Sequence, residues 1–267
     1  MYPTLFHLGS FRLSTYGLMM MLAFLAGIFL AVRRGKSRGV PKEFIENLST
    51  VILLSSMVGA RGLYVLTHLD EFRGNWLAVI NPVQPDGNFG IAGLVLLGGV
   101  LTAIPVTFWY TRRKGHAVLD VVDLLTPSLA LGMALGRVGC LLNGCCYGKS
   151  CDLPWAVSYP ESSHLHVLGP VHPTQAYLIL GDLALMGILL GAARVRRFPG
   201  QIFALFLLCY SPLRFGVEFL RDYEASMIVG QLGPWAVTTS QLLTLGMFGV
   251  GLFLYRHFQS RSLENPA

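Results

Sequence analysis

Arg214, Glu218 and Arg221 stand at i, i+4 and i+7 in the stretch YSPLRFGVEFLRD. On a helix this spacing sets all three along one face, inside an otherwise apolar run. Glu218 pairs with either arginine, as charges at membrane depth usually do. A second stretch, Gly136 to Gly148 (GRVGCLLNGCCYG), places Arg137, Asn143, three cysteines and four glycines at the end of a long apolar segment. Arginine at the centre of a membrane helix is unfavourable by about 2.5–3.5 kcal/mol on insertion scales, so it needs a partner or a task. One carboxylate cannot neutralise Arg61, Arg137, Arg214 and Arg221 together. The excess positive charge asks for an external anion, and a phosphate matches the guanidinium fork with two parallel hydrogen bonds. In a membrane the abundant phosphates belong to lipid head groups.

The cysteines read C-x4-C-C-x4-C: Cys140, Cys145, Cys146 and Cys151, with Cys209 apart. Structural zinc sites prefer two to four residues between paired ligands. The adjacent central pair therefore makes tetrahedral closure awkward, and no metal ligands are assigned from the spacing. A disulfide of Cys145 or Cys146 with Cys151 stays open. So does small-residue packing, since glycines alternate with the thiols. His172 opens an apolar run as His-Pro-Thr-Gln, with Pro173 suited to a first helical turn. A histidine there is either a satisfied interfacial residue or a general base. His164 and His166 read as solvated. Asp120 and Asp123 read as a snorkelling pair at a helix end, and Asp182 has no assignment.

These groups need helices to carry them. The 267-residue chain is 53% hydrophobic and only 13% charged, against about 25% charged in ordinary soluble domains. Its apolar residues fall in blocks near the roughly 20 residues that span a bilayer. The spacing predicts one all-α polytopic membrane domain over 1–267, with seven spans at about 14–32, 44–67, 91–111, 119–142, 172–194, 200–220 and 236–255. The first block is too long, and too poor in preceding basic residues, for a cleaved signal peptide. Residues 1–12 suit an interfacial segment. The formal charge of +6 raises nucleic acid as a partner, but its distribution excludes that. The charge sits mainly in the linkers holding Arg33–Lys42, Arg112–Lys114, Arg194–Arg197 and Arg256–Arg261. The positive-inside rule then places the N-terminus outside and the C-terminus in the cytoplasm. Residues 143–170 become a small extracytoplasmic head, and Tyr16, Arg61, Arg137, His172 and Arg221 gather at the outer leaflet. Polar residues collected at one face argue against a transporter path through the midplane.

Several stretches together resemble the bacterial prolipoprotein diacylglyceryl transferases. They are Tyr16-Gly17, Gly59-Ala60-Arg61 with Tyr64, Gly98-Gly99, Gly136-Arg137-x-Gly139 through Asn143-Gly144 to Gly148, His172-Pro173-Thr174-Gln175-x-Tyr177, Tyr210-x3-Arg214-x3-Glu218-x2-Arg221, and Gln241. They occur in the family's order from about residue 10 to 255. The resemblance implies transfer of the diacylglyceryl group of phosphatidylglycerol to the lipobox cysteine of a preprolipoprotein, with glycerol phosphate leaving. It implies no cofactor and a bacterial inner-membrane location. By motif match Arg137 and Arg214 are phosphate-binding candidates, with Glu218 and Arg221 as orienting partners. Tyr16, Asn143, Gly148 and Tyr210 fall on further site positions, and Arg61, Gly98, Gly99 and Gln175 complete the expected head-group network. Catalytic roles are expected of His172, Arg137, Arg214 and Tyr16.

Four positions depart from the family pattern. Leu97 stands where relatives carry a histidine before the paired glycines, Cys140 and Cys145 replace an asparagine and a glutamate, and Leu178 replaces a glutamate. His172, or the arginine field alone, is therefore expected to assist thiol deprotonation. The competing readings are a membrane thiol–disulfide or metal-binding protein built on Cys140, Cys145, Cys146 and Cys151, or a catalytically weakened lipid-binding paralogue. The sequence leaves the oligomeric state open.

Overall fold

Each long apolar stretch is a helix. The computed structural model describes residues 4–8, 11–80, 93–159, 169–222, 227–232 and 235–264. Pro82, Pro85, His164 and His166 lie outside these. The described residues form α1 (Thr15–Lys36), α2 (Lys42–Thr67), the single turn α3 (Leu69–Phe72), α4 (Leu96–Arg113), α5 (Val118–Asn143), α6 (Thr174–Ala192), α7 (Gln201–Glu218) and α8 (Thr239–Glu264). Of these, α1, α2, α5 and α6 are both long and apolar enough to cross a membrane. Large apolar side chains stand uncovered along several helices, among them Leu96 at 82% and Val58 at 72% exposed. Water does not favour that much apolar surface, and lipid does.

The fold is mostly helical, with three short antiparallel hairpins added to the expected all-α frame. They are β1 (Thr4–Leu8) with β2 (Phe11–Ser14), β3 (Val157–Ser158) with β4 (Pro170–Val171), and β5 (Ile228–Leu232) with β6 (Trp235–Thr238). The first falls in the expected interfacial segment, and the last between the sixth and seventh expected spans. Alternating polar and apolar residues near Gly and Pro favour hairpins there.

The chain divides into two compact units. The second comprises Thr4–Ser14 and Ala31–Val121, and its centre is the pairing of α2 with α4. An added β-carbon at Gly98 would lie 2.3 Å from the Gly59 carbonyl oxygen, and one at Gly59 would lie 2.5 Å from that of Gly98. Only glycine on both helices allows this approach. Thr102 Oγ1 then donates across to the Ser55 carbonyl at 2.8 Å.

The first unit contains Thr15–Leu30 and Val122–Ala267. Its core joins Ala130, Leu185, Leu189, Ile202, Phe206 and Leu207. On α6 the buried residues Gln175, Leu178, Asp182, Leu185 and Leu189 repeat at i, i+3, i+7, i+10 and i+14, one continuous helical stripe. Asp123 corrects the expectation of a snorkelling side chain, because it is fully buried. Its carboxylate accepts from the backbone N–H of Gly200 at 2.9 Å and Phe203 at 3.0 Å, and pairs with Arg196 Nε at 2.9 Å. A helix N-terminus offers unpaired N–H groups and a positive dipole end, so this carboxylate anchors the start of α7. Arg196, read from sequence as a topology signal alone, completes the anchor.

Candidate active site

The arginine ladder of α7 is built as its spacing requires. Arg214 is buried, and its Nη1 donates to Glu218 Oε2. The same carboxylate lies 3.8 Å from Arg221 Nη1, while its other oxygen accepts from Thr238 Oγ1 at 3.0 Å. Thr238 is itself held by Gln241, whose Oε1 accepts from the Thr238 N–H at 3.0 Å. Glu218 is thus fixed from two helices and a hairpin strand. Arg221 Nε remains buried without a hydrogen-bond partner among the described residues.

Arg137, on the last turns of α5, sits close to the Tyr210 hydroxyl, Cys140, Cys146 and Asp182. Tyr210 also lies near Arg214 and stacks on Phe206 with centroids 5.5 Å apart. One phenol therefore links the arginine of α5 to the arginine of α7. Tyr16, at the start of α1 and 41% exposed, faces Arg137 and the three cysteines of the signature. The α1–α5 approach at this point needs Gly139, where an added β-carbon would stand 3.1 Å from Met19 Cβ and 3.2 Å from Tyr16 Cδ2.

Beyond α5 the chain turns through Gly144 (φ +82°) and Cys146 (φ +64°). It then runs against the start of α6 and the end of α7. The Gly148 N–H donates to the His172 carbonyl at 2.9 Å, the His172 N–H to the Lys149 carbonyl at 3.0 Å, and the Lys149 N–H to the Leu220 carbonyl at 2.9 Å. Gly148 bridges to Arg221. A β-carbon on Gly148 would stand 2.3 Å from the Leu220 carbonyl oxygen and 2.7 Å from His172 Cβ, so no side chain fits. This backbone weave carries His172 to the ladder. His172 Nδ1 lies 3.2 Å from the Tyr177 hydroxyl, which also accepts from Trp155 Nε1 at 2.9 Å.

The structure therefore brings Tyr16, Arg137, Asn143, Gly148, His172, Gln175, Tyr210, Arg214, Glu218 and Arg221 into the first unit. Gln175 is fully buried, and its Nε2 donates to the Cys145 carbonyl at 2.7 Å and the Tyr159 hydroxyl at 3.1 Å. It holds the signature turn, which is a positioning task. Arg61, Gly98 and Gly99 belong to the second unit. The Arg61 guanidinium donates to the carbonyls of Val79, Ala78 and Gly93, and packs over Tyr64 and Phe72. This is the pattern of a strap holding a loop on a helix, and Gly98 and Gly99 serve the α2–α4 contact.

Two groups that the sequence reading named without placing in the site lie beside it. Asp182 is 1% exposed, lies close to Arg137, and has no hydrogen-bond partner for either carboxylate oxygen among the described residues. Its place seven residues after Gln175 on one helical stripe was the available signal. The other is the thiol cluster. All five cysteines are free, and the sulfurs of Cys140, Cys145 and Cys146 lie within 4.8 Å of one another. Their closure, awkward on regular backbone, is achieved by the left-handed conformation at Cys146. That thiol is lowered well below its ordinary value by hydrogen bonds from Cys140 and Cys145 and by the nearby Arg221 and Arg137 guanidinium groups.

A family model described as prolipoprotein diacylglyceryl transferase matches residues 3–256. Among similar proteins, the phosphatidylglycerol–prolipoprotein diacylglyceryl transferase of Clostridium tetani is 31% identical, covering 96% of this chain and 97% of the relative. Those of Polynucleobacter necessarius and Bordetella avium are each 32% identical, covering 97% and 99% of this chain and 97% of each relative. With its ordered motifs, its apolar helices and a match that runs nearly end to end, the chain belongs to the prolipoprotein diacylglyceryl transferase family.

Proposed function

We propose that this protein transfers the diacylglyceryl group of phosphatidylglycerol to the lipobox cysteine thiol of preprolipoproteins and releases glycerol phosphate. The observation that carries the reading is the gathering of three guanidinium groups, Arg137, Arg214 and Arg221, around Glu218 and Tyr210. The Arg137 and Arg214 guanidinium groups, both beside Tyr210, offer positive charge and forked donors to a lipid phosphate. Charge grows on the phosphate oxygens as the glyceryl C–O bond breaks and the C–S bond forms. Donors already aimed at that charge stabilise the transition state more than the ground state. Arg137 and Arg214 hold the phosphate, Tyr210 keeps the two guanidinium groups in register, and Glu218 with Arg221 sets the orientation of Arg214.

Membership of the family and the long apolar helices support an inner-membrane enzyme. In our reading α1, α2, α4, α5, α6, α7 and α8 all cross the membrane. The N-terminus lies outside, and the site opens toward the outer leaflet. His172 takes the thiol proton at Nε2, which requires its Nδ1 to carry a proton and donate to Tyr177. The test is transfer from labelled phosphatidylglycerol to a lipobox peptide in proteoliposomes. The reading predicts a thioether-linked diacylglyceryl peptide with intact protein and almost none with Arg137→Ala or Arg214→Ala. Folded wild-type protein that never labels the cysteine overturns it.

A further inference from the structure

Three thiols meet where α5 ends. Around one tetrahedral zinc, thiolate sulfurs stand about 3.8 Å apart, as bonds of about 2.3 Å require. The sulfurs of Cys140, Cys145 and Cys146, all within 4.8 Å of one another, approach that triangle and close on it by small side-chain rotations. Sequence neighbours in extended or helical backbone point their side chains apart. Cys146 overcomes this with φ +64°, a conformation that disfavours a β-carbon by about 1–2 kcal/mol. Strain of this kind persists only where the surroundings impose it. Here they do: Thr174 Oγ1 donates to the Cys146 carbonyl at 2.7 Å, and Gln175 Nε2 donates to the Cys145 carbonyl at 2.7 Å. Both donors are fully buried in the first turn of α6. The turn that gathers the sulfurs is thus held from outside, as preorganised ligands are. Three thiolates around a divalent ion leave one negative charge, and Arg137 and Arg221 stand close enough to Cys146 to balance it.

We propose that Cys140, Cys145 and Cys146 bind one zinc-class ion, and that its fourth position takes the acceptor thiol. Three protein ligands with one open position is the pattern of catalytic rather than structural zinc. The second half of the proposal rests on the transferase reading above. The acceptor thiol gives its proton to His172 Nε2, the base of that reading, on joining the ion. Its sulfur lone pair then forms the C–S bond to the glyceryl carbon while the C–O bond breaks and its electron pair leaves on the phosphate oxygen. Nothing is oxidised or reduced, and the ion is unchanged.

The test uses the full-length protein in detergent, freed of metal with a chelator and titrated with cobalt(II) as a spectroscopic stand-in for zinc. The expected result is one equivalent bound with a near-ultraviolet thiolate-to-cobalt charge-transfer band, displaced by zinc. Cys140→Ser, Cys145→Ser or Cys146→Ser should each weaken the band by about a third or abolish it. Cys151→Ser and Cys209→Ser should leave it unchanged. A lipobox peptide carrying cysteine should raise the band by about a further third, and its serine counterpart should not. No band with wild-type protein, or a band indifferent to the three cluster variants, overturns the ion site. A band that the cysteine peptide leaves unchanged overturns the thiol-capturing role. The titration contains no lipid, so its failure beside successful transfer overturns this inference alone. Failed transfer beside a normal titration overturns the transferase reading and the thiol-capturing role with it.

Discussion

Arg214 and Glu218, one helical turn apart on α7, form a buried ion pair, and the carboxylate oxygen they share also faces Arg221 at 3.8 Å. Glu218 is therefore divided between two arginines, while Thr238 takes its second oxygen. Neither guanidinium is fully neutralised, which keeps both able to attract an anion. Removing the shared carboxylate should harm folding as well as catalysis. Glu218→Ala strands two arginines, and breaking a buried pair typically costs about 3–5 kcal/mol. A marked drop in thermal midpoint with loss of transfer is expected. Arg214→Lys separates the two roles, because lysine keeps the charge and loses the fork. Its midpoint should stay near wild type while kcat falls about 10²–10³-fold, the typical loss for one donor to developing charge. An unchanged kcat would place the phosphate elsewhere.

Gly148 makes a backbone-level prediction. Its missing β-carbon is what lets residues 148–150 lie against both His172 and Leu220. Gly148→Ala forces these apart, and overpacking of this kind costs about 1–3 kcal/mol. Transfer should fall more than the midpoint does, since the shift moves His172 and Arg221 together. Equal activity in Gly148→Ala and wild-type protein would show that this weave does not position the site.

The positions of the helices were legible because apolar blocks of bilayer length have few alternatives, and the α7 ladder was legible because charges at i, i+4 and i+7 must share a face. What stayed hidden depends on contacts between segments distant in sequence. Nothing local in Asp123 tells that Gly200 and Phe203 will present their N–H groups to it. Nothing local in Arg61 tells that its donors meet carbonyls up to 32 residues away. The adjacency of Cys145 and Cys146 misled for a physical reason. It excludes convergence on ordinary backbone, and the single left-handed residue that reverses this is imposed by Thr174 and Gln175 from another helix.

The Asp123 anchor carries a stability prediction separate from chemistry. Asp123→Ala leaves two helix-initial N–H groups and Arg196 without their acceptor, at about 3–5 kcal/mol for a broken buried pair. The thermal midpoint should drop sharply in detergent. Transfer measured well below that midpoint should stay within a few-fold of wild type, because Asp123 holds the start of α7 and the arginine ladder stands at its other end. Loss of transfer at full folding would make the start of α7 part of the catalytic machinery.

His172 is tested through its partner. A general base typically contributes about 10²–10⁴-fold, so His172→Ala should lower kcat by that order with little change in the apparent affinity for lipid. Tyr177→Phe keeps the imidazole and removes the hydroxyl 3.2 Å from Nδ1. It should retain more activity than His172→Ala, since Tyr177 fixes which nitrogen bears the proton. Full activity in His172→Ala leaves the arginine field, or the thiol-bound ion, to generate the thiolate.

Cys146 gives a pH-dependent readout on chelator-treated protein. An ordinary thiol, with a pKa near 8.5, gains thiolate about tenfold per pH unit below that value. Cys146 is lowered by thiol donors on Cys140 and Cys145 and by Arg221 and Arg137, which favours its thiolate. Its alkylation by iodoacetamide, followed by peptide mass spectrometry, should be nearly flat from about pH 7 to 9, where a free model thiol rises steeply. Arg221→Gln removes one source of the stabilising potential and should restore part of the slope. A tenfold rise per unit in wild-type protein would mean that the guanidinium groups do not reach the sulfur, and it would remove the electrostatic link between the cysteine turn and the arginine ladder.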